Sequence, residues 1–327
     1  MSPFSYAVAG NEAMAIEAWR GSAAPMYVAG ATDVLQLLRE DVVAPAVLID
    51  ISRLPLTRID AGPGGAAIGA IARLSDVADH PDIQTYFPLL SQALGETASP
   101  QIRNLATIGG NLLQRTRCLY FRDKASPCNK REPGSGCPAR TGSNRMNAIL
   151  GGSEHCIAAY PGDMAVALLV LNARVRLRGP EGDRSIAAAD LHRMPEADPS
   201  TDTTLRPGEI ITGIELPPNA FAANVAYVKV RDRASFEWPL VSAAVGLEMT
   251  GDMVLTAHIA AGGVGTKPWR LPSVEKALAG RTLDPESAVA AAALATEGAT
   301  GSGENDFKLK LLPRVVERAI LTAGGKL

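Results

Sequence analysis

The chain has 327 residues, 46% of them hydrophobic, and 32 basic side chains against 34 acidic ones for a net charge of −2. That length predicts two or three folded domains, and the apolar fraction excludes a disordered chain. The even charge excludes a global attraction to nucleic acid or to anionic membranes. The most apolar run, 164–171, is too short to span a bilayer, so no membrane insertion is expected. Residues 1–30 carry Glu12 and Glu17 and show no secretory signal of their own.

Residues 12–22 are mostly good helix formers. Residues 27–30 predict a strand entering a turn, 34–39 a helix with Asp33 near its start, and 46–51 a continuous apolar strand of the buried kind. These first 55 residues form a small α/β unit. A strand over 66–70 and helices from Leu74 and over 89–98 lead through Pro100 to the turn Thr107-Ile108-Gly109-Gly110-Asn111. Residues 113–157 have little apolar periodicity and are rich in Gly, Pro, Arg and Lys. They predict a long inserted loop without regular structure, a kind of segment that is usually functional.

Asp163 heads a helical pattern to about Leu171, 174–178 alternates as a half-buried strand does, and 209–216 is a further strand closed by Pro217-Pro218. The double proline is read as a boundary, giving units of 1–55, 56–217 and 218–327. Three successive strands follow, over 226–230, 241–249 and 253–260, an antiparallel three-stranded meander. Helices over 272–279, 286–297 and 311–322 complete an α+β arrangement.

Two turns suit phosphate. Val28, Ala29, Gly30, Ala31, Thr32 and Asp33 lie between a strand and a helix, where unpaired backbone N–H groups favour an anion; an ordinary helix cap is the plain alternative. Thr107, Gly109, Gly110 and Asn111 put backbone donors, a hydroxyl and an amide into one tight loop. Neither turn is a Walker loop or a Rossmann GxGxxG. Together they fit a dinucleotide better than either does alone.

All four cysteines, Cys118, Cys128, Cys137 and Cys156, fall in the inserted loop. Disulfides belong mainly to small secreted domains without a core. The spacings C-x9-C, C-x8-C and C-x18-C lack the C-x2–4-C knuckle of structural zinc sites. They also lack the usual bacterial iron–sulfur spacing, so spacing alone leaves the centre open. Arg115, Arg117, Arg122, Lys124, Lys130, Arg131, Arg140 and Arg145 outnumber Asp123, Glu132 and Glu154 there, which suits an anionic cluster. His155 is a further candidate ligand, although a lone histidine is more often a bystander. His80, His155, His192 and His258 are scattered, and no nucleophile–base arrangement stands out. The sequence offers cofactor sites without acid–base machinery, which points to electron transfer.

The motifs Ala29-Gly30-Ala31-Thr32-Asp33, Arg103 to Leu112, Asp163 before an alanine-rich helix, Leu205 to Ile211 and Ala261 to Arg270 resemble the FAD-binding (medium) subunit of molybdenum hydroxylases, the xanthine oxidase family. The resemblance covers nearly the whole chain. It implies an α+β fold: a two-part FAD-binding domain of the vanillyl-alcohol oxidase (PCMH) type, then a smaller C-terminal domain of the CO dehydrogenase flavoprotein type. It further implies that the turn 28–33 holds the FAD pyrophosphate and that Thr107, Gly109, Gly110 and Asn111 form the second FAD loop. Asp163 matches a ribose- or flavin-side contact, and Lys229 a basic residue near the isoalloxazine. The family usually has Gly-Gly-Thr-Asp where this chain has Ala31 as the second residue, which costs freedom if that position needs positive φ.

Most relatives lack the cysteine loop. The text Arg117-Cys118, Tyr120 to Asp123, Cys128 to Arg131 and Pro133 to Cys137 is similar to the FAD subunit of the periplasmic aldehyde oxidoreductase type, which implies that the four cysteines hold a [4Fe-4S] cluster. The implied function is that of a FAD and [4Fe-4S] electron-transfer subunit of a heterotrimeric molybdenum-dependent aldehyde oxidoreductase. Its partners would be a molybdopterin-binding large subunit, a [2Fe-2S] small subunit and an external electron acceptor. Alternatives are the flavin subunit of a related molybdenum hydroxylase or hydroxybenzoyl-CoA-type reductase, and a zinc-loop scaffold without electron flow. The location would be periplasmic if a twin-arginine partner co-exports the chain, and otherwise cytoplasmic.

Overall fold

A computed structural model describes residues 2–221 and 223–327. Three sheets organise them. The first is parallel, with Val47–Asp50 between Ser5–Val8 and Pro25–Val28. Its central strand is the apolar run expected there. The helices Glu12–Arg20 and Val34–Arg39 make the crossovers that parallel strands require. Asn11 caps the first helix by accepting the Met14 amide at 2.9 Å.

The second sheet is antiparallel, in the order Ile59–Gly62, Gly65–Gly69, Ile210–Leu216, Arg174–Gly179, Gly182–Ala187. The third has four strands, in the order Trp269–Arg270, Met253–Gly262, Val241–Thr250, Val225–Val230. The expected three-stranded meander is therefore a four-stranded sheet. Its fourth strand is two residues long and follows Pro268, too short to show any periodicity. The strands Ser5–Val8, Ile59–Gly62 and Gly182–Ala187 were likewise not expected. Each is an edge strand, where half the ladder faces solvent and apolar alternation is not demanded.

The helix Met164–Val170 is buried on every side. It is apolar all round because it packs between the helix Pro88–Gly95 and the strands Val241–Thr250 and Met253–Gly262. Its last carbonyls are capped from the third sheet: Arg270 Nη1 donates to Leu169 O at 2.9 Å, and His258 Nδ1 lies 3.0 Å from Val170 O. The main core joins this helix to the second sheet. A separate core lies between the third sheet and the long helix Phe307–Ala323. Lys308 on that helix is fully buried, and burial pushes its pKa down to about 7.

The cysteine segment is not wholly irregular. It holds a short helix, Leu119–Arg122, and a 3-10 turn, Pro138–Arg140. Among the described residues no helix is long and apolar enough to cross a membrane.

Candidate functional site

A groove of about 580 Å³ runs along the first sheet and the second, within the size range of small-molecule and cofactor sites. Val28, Ala29, Gly30, Ala31, Thr32, Asp33, Thr107, Gly109, Gly110, Asn111 and Asp163 all line it. Eleven of the twelve residues singled out from sequence for a cofactor are thus brought together. Lys229 is the exception.

The two turns are pressed against each other. A Cβ on Gly30 would run into the Leu105 carbonyl, so only glycine lets the backbones approach this closely. Ala31, the departure from the family pattern, has φ of +61°, a left-handed conformation that costs an alanine strain. Among the described residues, the amides of Gly30, Ala31 and Thr32 donate to no protein acceptor. The second turn differs from expectation. Ile108 N–H is taken by Ala72 O, Gly109 N–H by Ala70 O at 2.8 Å, and Gly110 N–H by the Thr107 hydroxyl at 3.3 Å. The expected loop is a short helix, Ile108–Leu112, with Thr107 as its N-cap, and its backbone donors are spent on that helix and on the neighbouring strand end. What it offers instead is Asn111 Oδ1, a buried acceptor without a protein partner, an arrangement that calls for a ligand donor.

Asp163 is buried at the groove and accepts Tyr227 OH at 2.7 Å and Lys229 Nζ at 2.9 Å. Burial raises its pKa, while the ammonium and the hydroxyl pull the other way. Lys229 also donates to Glu96 O at 2.9 Å, and its side chain is wholly buried. It stands behind Asp163 and does not line the groove. Both partners come from the strand Val225–Val230, so the third sheet fixes an acid of the groove.

Several lining residues were not assigned to the groove from sequence. Arg117 reaches the groove wall, with its guanidinium 4.7 Å from the Trp238 ring. Phe236 and Trp238 at the mouth belong to the segment 231–240, and the segment Leu205 to Ile211 forms part of the floor. The latter was visible as a family mark without a function. Trp19 and Tyr27 stack, with ring centroids 4.7 Å apart, at the groove's edge.

Next to the groove, Cys118, Cys128, Cys137 and Cys156 all line one small chamber, together with Phe121, Lys130 and His155. None is in a disulfide, and three are buried. Burial pushes the Cys156 thiol up to about 12 and also raises Cys137, which marks unreactive thiols. Two sulfurs face N–H donors: Ala158 N lies 3.4 Å from Cys156 Sγ and Asn147 Nδ2 lies 3.6 Å from Cys118 Sγ. Among the described residues, no three His, Cys, Asp or Glu side chains converge closely enough for a single metal ion.

Asp33 joins the two sites. It starts the helix Val34–Arg39 without capping it. Its carboxylate instead accepts Arg115 N at 2.8 Å, Arg122 Nη2 at 2.8 Å and Arg117 Nη1. Burial opposes the charged form, but Arg117 and Arg122 outweigh it and hold Asp33 below the usual carboxylate range.

A family model described as the FAD binding domain in molybdopterin dehydrogenase matches residues 2–219, more than half of the chain. The chain is a FAD-binding subunit of the molybdenum hydroxylase family. The model of the CO dehydrogenase flavoprotein C-terminal domain matches residues 226–323 of this flavoprotein subunit. The subunit is 42% identical over 299 residues to the aldehyde oxidoreductase FAD-binding subunit PaoB of Escherichia coli K12, covering 91% of each chain. It is 28% identical over 284 residues to the glyceraldehyde dehydrogenase medium chain of Sulfolobus acidocaldarius, covering 86% of this chain and 83% of that one. Carbon monoxide dehydrogenase from Hydrogenophaga pseudoflava superposes with a TM-score of 0.77 at 24% identity, over 100% of this chain and 99% of that one. Quinoline 2-oxidoreductase from Pseudomonas putida 86 gives 0.76 at 24% identity, over 99% and 98%. At that identity the likeness speaks for the fold alone. The flavoprotein subunit is thus an oxidoreductase component with the two-part FAD-binding and C-terminal architecture expected from its motifs.

Proposed function

We propose that the flavoprotein subunit carries FAD and a [4Fe-4S] cluster in a heterotrimeric molybdenum-dependent aldehyde oxidoreductase. Electrons would come from a molybdopterin-binding large subunit and a [2Fe-2S] small subunit and leave to an external acceptor. The observation that carries this reading is the gathering of four thiols, spread over residues 118–156, around one chamber beside the groove. A cube-shaped cluster takes its ligands at four separate corners, which agrees with thiols that share a chamber without converging on one point. The same feature speaks against the zinc-scaffold alternative, since a zinc ion needs its ligands at roughly 2.0–2.3 Å. The aldehyde class is supported by the names of the relatives at 42% and 28% identity.

The FAD would be held by Val28 to Asp33, Thr107, Gly109, Gly110, Asn111 and Asp163, with Lys229 acting through Asp163. The free amides of the first turn suit phosphate oxygens, and the unpaired Asn111 Oδ1 suits a ligand hydroxyl or N–H. When bound, the flavin supplies the exchange of one or two electrons, and the chain supplies position and electrostatics. The proposed units are 1–55 and 56–217 for the two parts of the FAD domain, with the loop 113–157 inserted, and 218–327 for the C-terminal domain. Export with a twin-arginine partner would place the complex in the periplasm.

The test is the ultraviolet–visible spectrum of the mildly purified complex, with iron and acid-labile sulfide analysis. Flavin absorption with four irons and four sulfides per chain is expected on this reading. A complex without flavin overturns the main claim, and zinc without sulfide favours the scaffold. Turnover of aldehyde, as opposed to reductive dehydroxylation, separates the oxidoreductase from the hydroxybenzoyl-CoA-type alternative.

A further inference from the structure

Residues 144–148, within the cysteine segment, are held in a brace of buried polar groups. Asn144, Asn147, Asn305 and Lys308 are each at most 4% exposed. Asn305 donates to Ala148 O at 3.0 Å, and its own amide N–H goes to Asn144 Oδ1 at 3.2 Å. Asn144 donates to Ser302 O at 2.7 Å and to Ala139 O at 2.9 Å. Lys308 Nζ donates to Asn147 O at 2.9 Å and to Gly263 O at 2.7 Å. Among the described residues no carboxylate pairs with Lys308. The C-terminal helix therefore grips the cysteine segment at one peptide, and the side chain of that same residue turns to Cys118, with Nδ2 3.6 Å from Sγ.

An amide NH2 donates and a deprotonated sulfur only accepts, so this orientation is the one a ligand thiolate requires. We infer that Asn147 is a positioning residue for Cys118, donating an N–H···S hydrogen bond to its thiolate, with Lys308 as the anchor that fixes Asn147. The inference rests on the cluster reading above. Such hydrogen bonds raise a cluster's reduction potential, and losing an outer-shell partner typically weakens metal retention about 10–100-fold.

The experiment compares wild type, Asn147→Leu, Asn147→Gln and Lys308→Met in the purified assembled complex. Readouts are flavin, iron and sulfide content, the EPR spectrum of the reduced cluster, its potential, and iron loss to a chelator. Asn147→Leu is expected to keep flavin, shift the potential to a more negative value and lose iron at least about 10-fold faster. Asn147→Gln, which keeps the donor, recovers part of the shift. Lys308→Met leaves the amide in place but frees its backbone, and it moves the potential in the same direction. It carries the test if Asn147→Leu does not assemble. Unchanged potential and EPR spectrum in both variants at full iron content overturns this inference alone. A wild-type complex without iron and sulfide overturns the cluster reading and this inference together.

Discussion

The carboxylate of Asp33, at the end of the first groove turn, is bound 2.8 Å from Nη2 of Arg122, on the short helix that follows Cys118. With Arg117 it forms an ion-pair cluster in which each side chain is about one-seventh exposed. One acid thus fastens the thiol segment to the wall of the groove.

Asp33→Asn leaves two largely buried guanidinium groups without their shared anion, Arg122 keeping only Glu40 at 3.8 Å, and such a broken pair costs about 3 kcal/mol. Asp33 has its pKa lowered from 3.8. Its stabilisation is therefore fully present above that value and is lost as pH falls through the lowered folded-state pKa. The gap in melting temperature between wild type and Asp33→Asn should stay level from about pH 5 to 8 and narrow as pH falls below 3.8. A gap that persists at low pH would mean that the ion pairs are not its source.

Ala31 holds a left-handed backbone at φ +61°. Ala31→Gly should raise stability by about 0.5–1 kcal/mol, the relief of that strain less the entropy that glycine adds to the unfolded chain. Urea unfolding with an unchanged slope checks this, and a loss of stability would show that the neighbouring turn compensates the strain.

At the second turn, Asn111→Ala removes the unpaired acceptor and Gly110→Val crowds a Cβ to 3.0 Å from Thr107 Oγ1, the acceptor of the Gly110 amide. Loss of one such hydrogen bond, about 1.4 kcal/mol, corresponds to roughly tenfold weaker flavin retention. Flavin-to-protein ratios after dialysis measure it, and unchanged stoichiometry in both variants would remove this loop from the site.

Lys229→Met strands the Asp163 carboxylate in the interior with only Tyr227 OH as a side-chain partner from its strand. The expected cost is about 3–5 kcal/mol, with flavin released at the same time. Tyr227→Phe keeps the ammonium and should cost about 1 kcal/mol. Equal effects of the two would argue that the charge of Lys229 is immaterial.

Cys128→Ser takes away one thiol of the chamber. The visible absorption of the proposed cluster should disappear and the thermal stability of the complex should fall, because ligation and folding are coupled. Full iron content in this variant would show that another residue serves at that corner.

The groove lining was legible in sequence because its parts are local. A glycine before a helix start reads as a turn whatever surrounds it, whereas the Thr-x-Gly-Gly-Asn segment, expected as a loop, is a short helix Ile108–Leu112 capped by Thr107. The central strand Val47–Asp50 and the alternating strand Arg174–Gly179 were legible for the same reason. The resemblance matched Lys229 to a basic residue near the isoalloxazine; in the structure it stands behind Asp163, a depth that a strand pattern does not give.

By itself the sequence determined the two groove turns, the segregation of every thiol into one segment and the family. Only the tertiary structure decided that those thiols share a chamber and that Asp33 binds the thiol segment instead of capping its helix. It also decided that Asn147 faces Cys118 from a peptide held by Lys308, 161 residues further on. The reason is physical. Turn conformation follows from neighbouring residues, whereas ion pairs and buried amide contacts form between residues far apart in the chain, whose meeting depends on how three sheets pack.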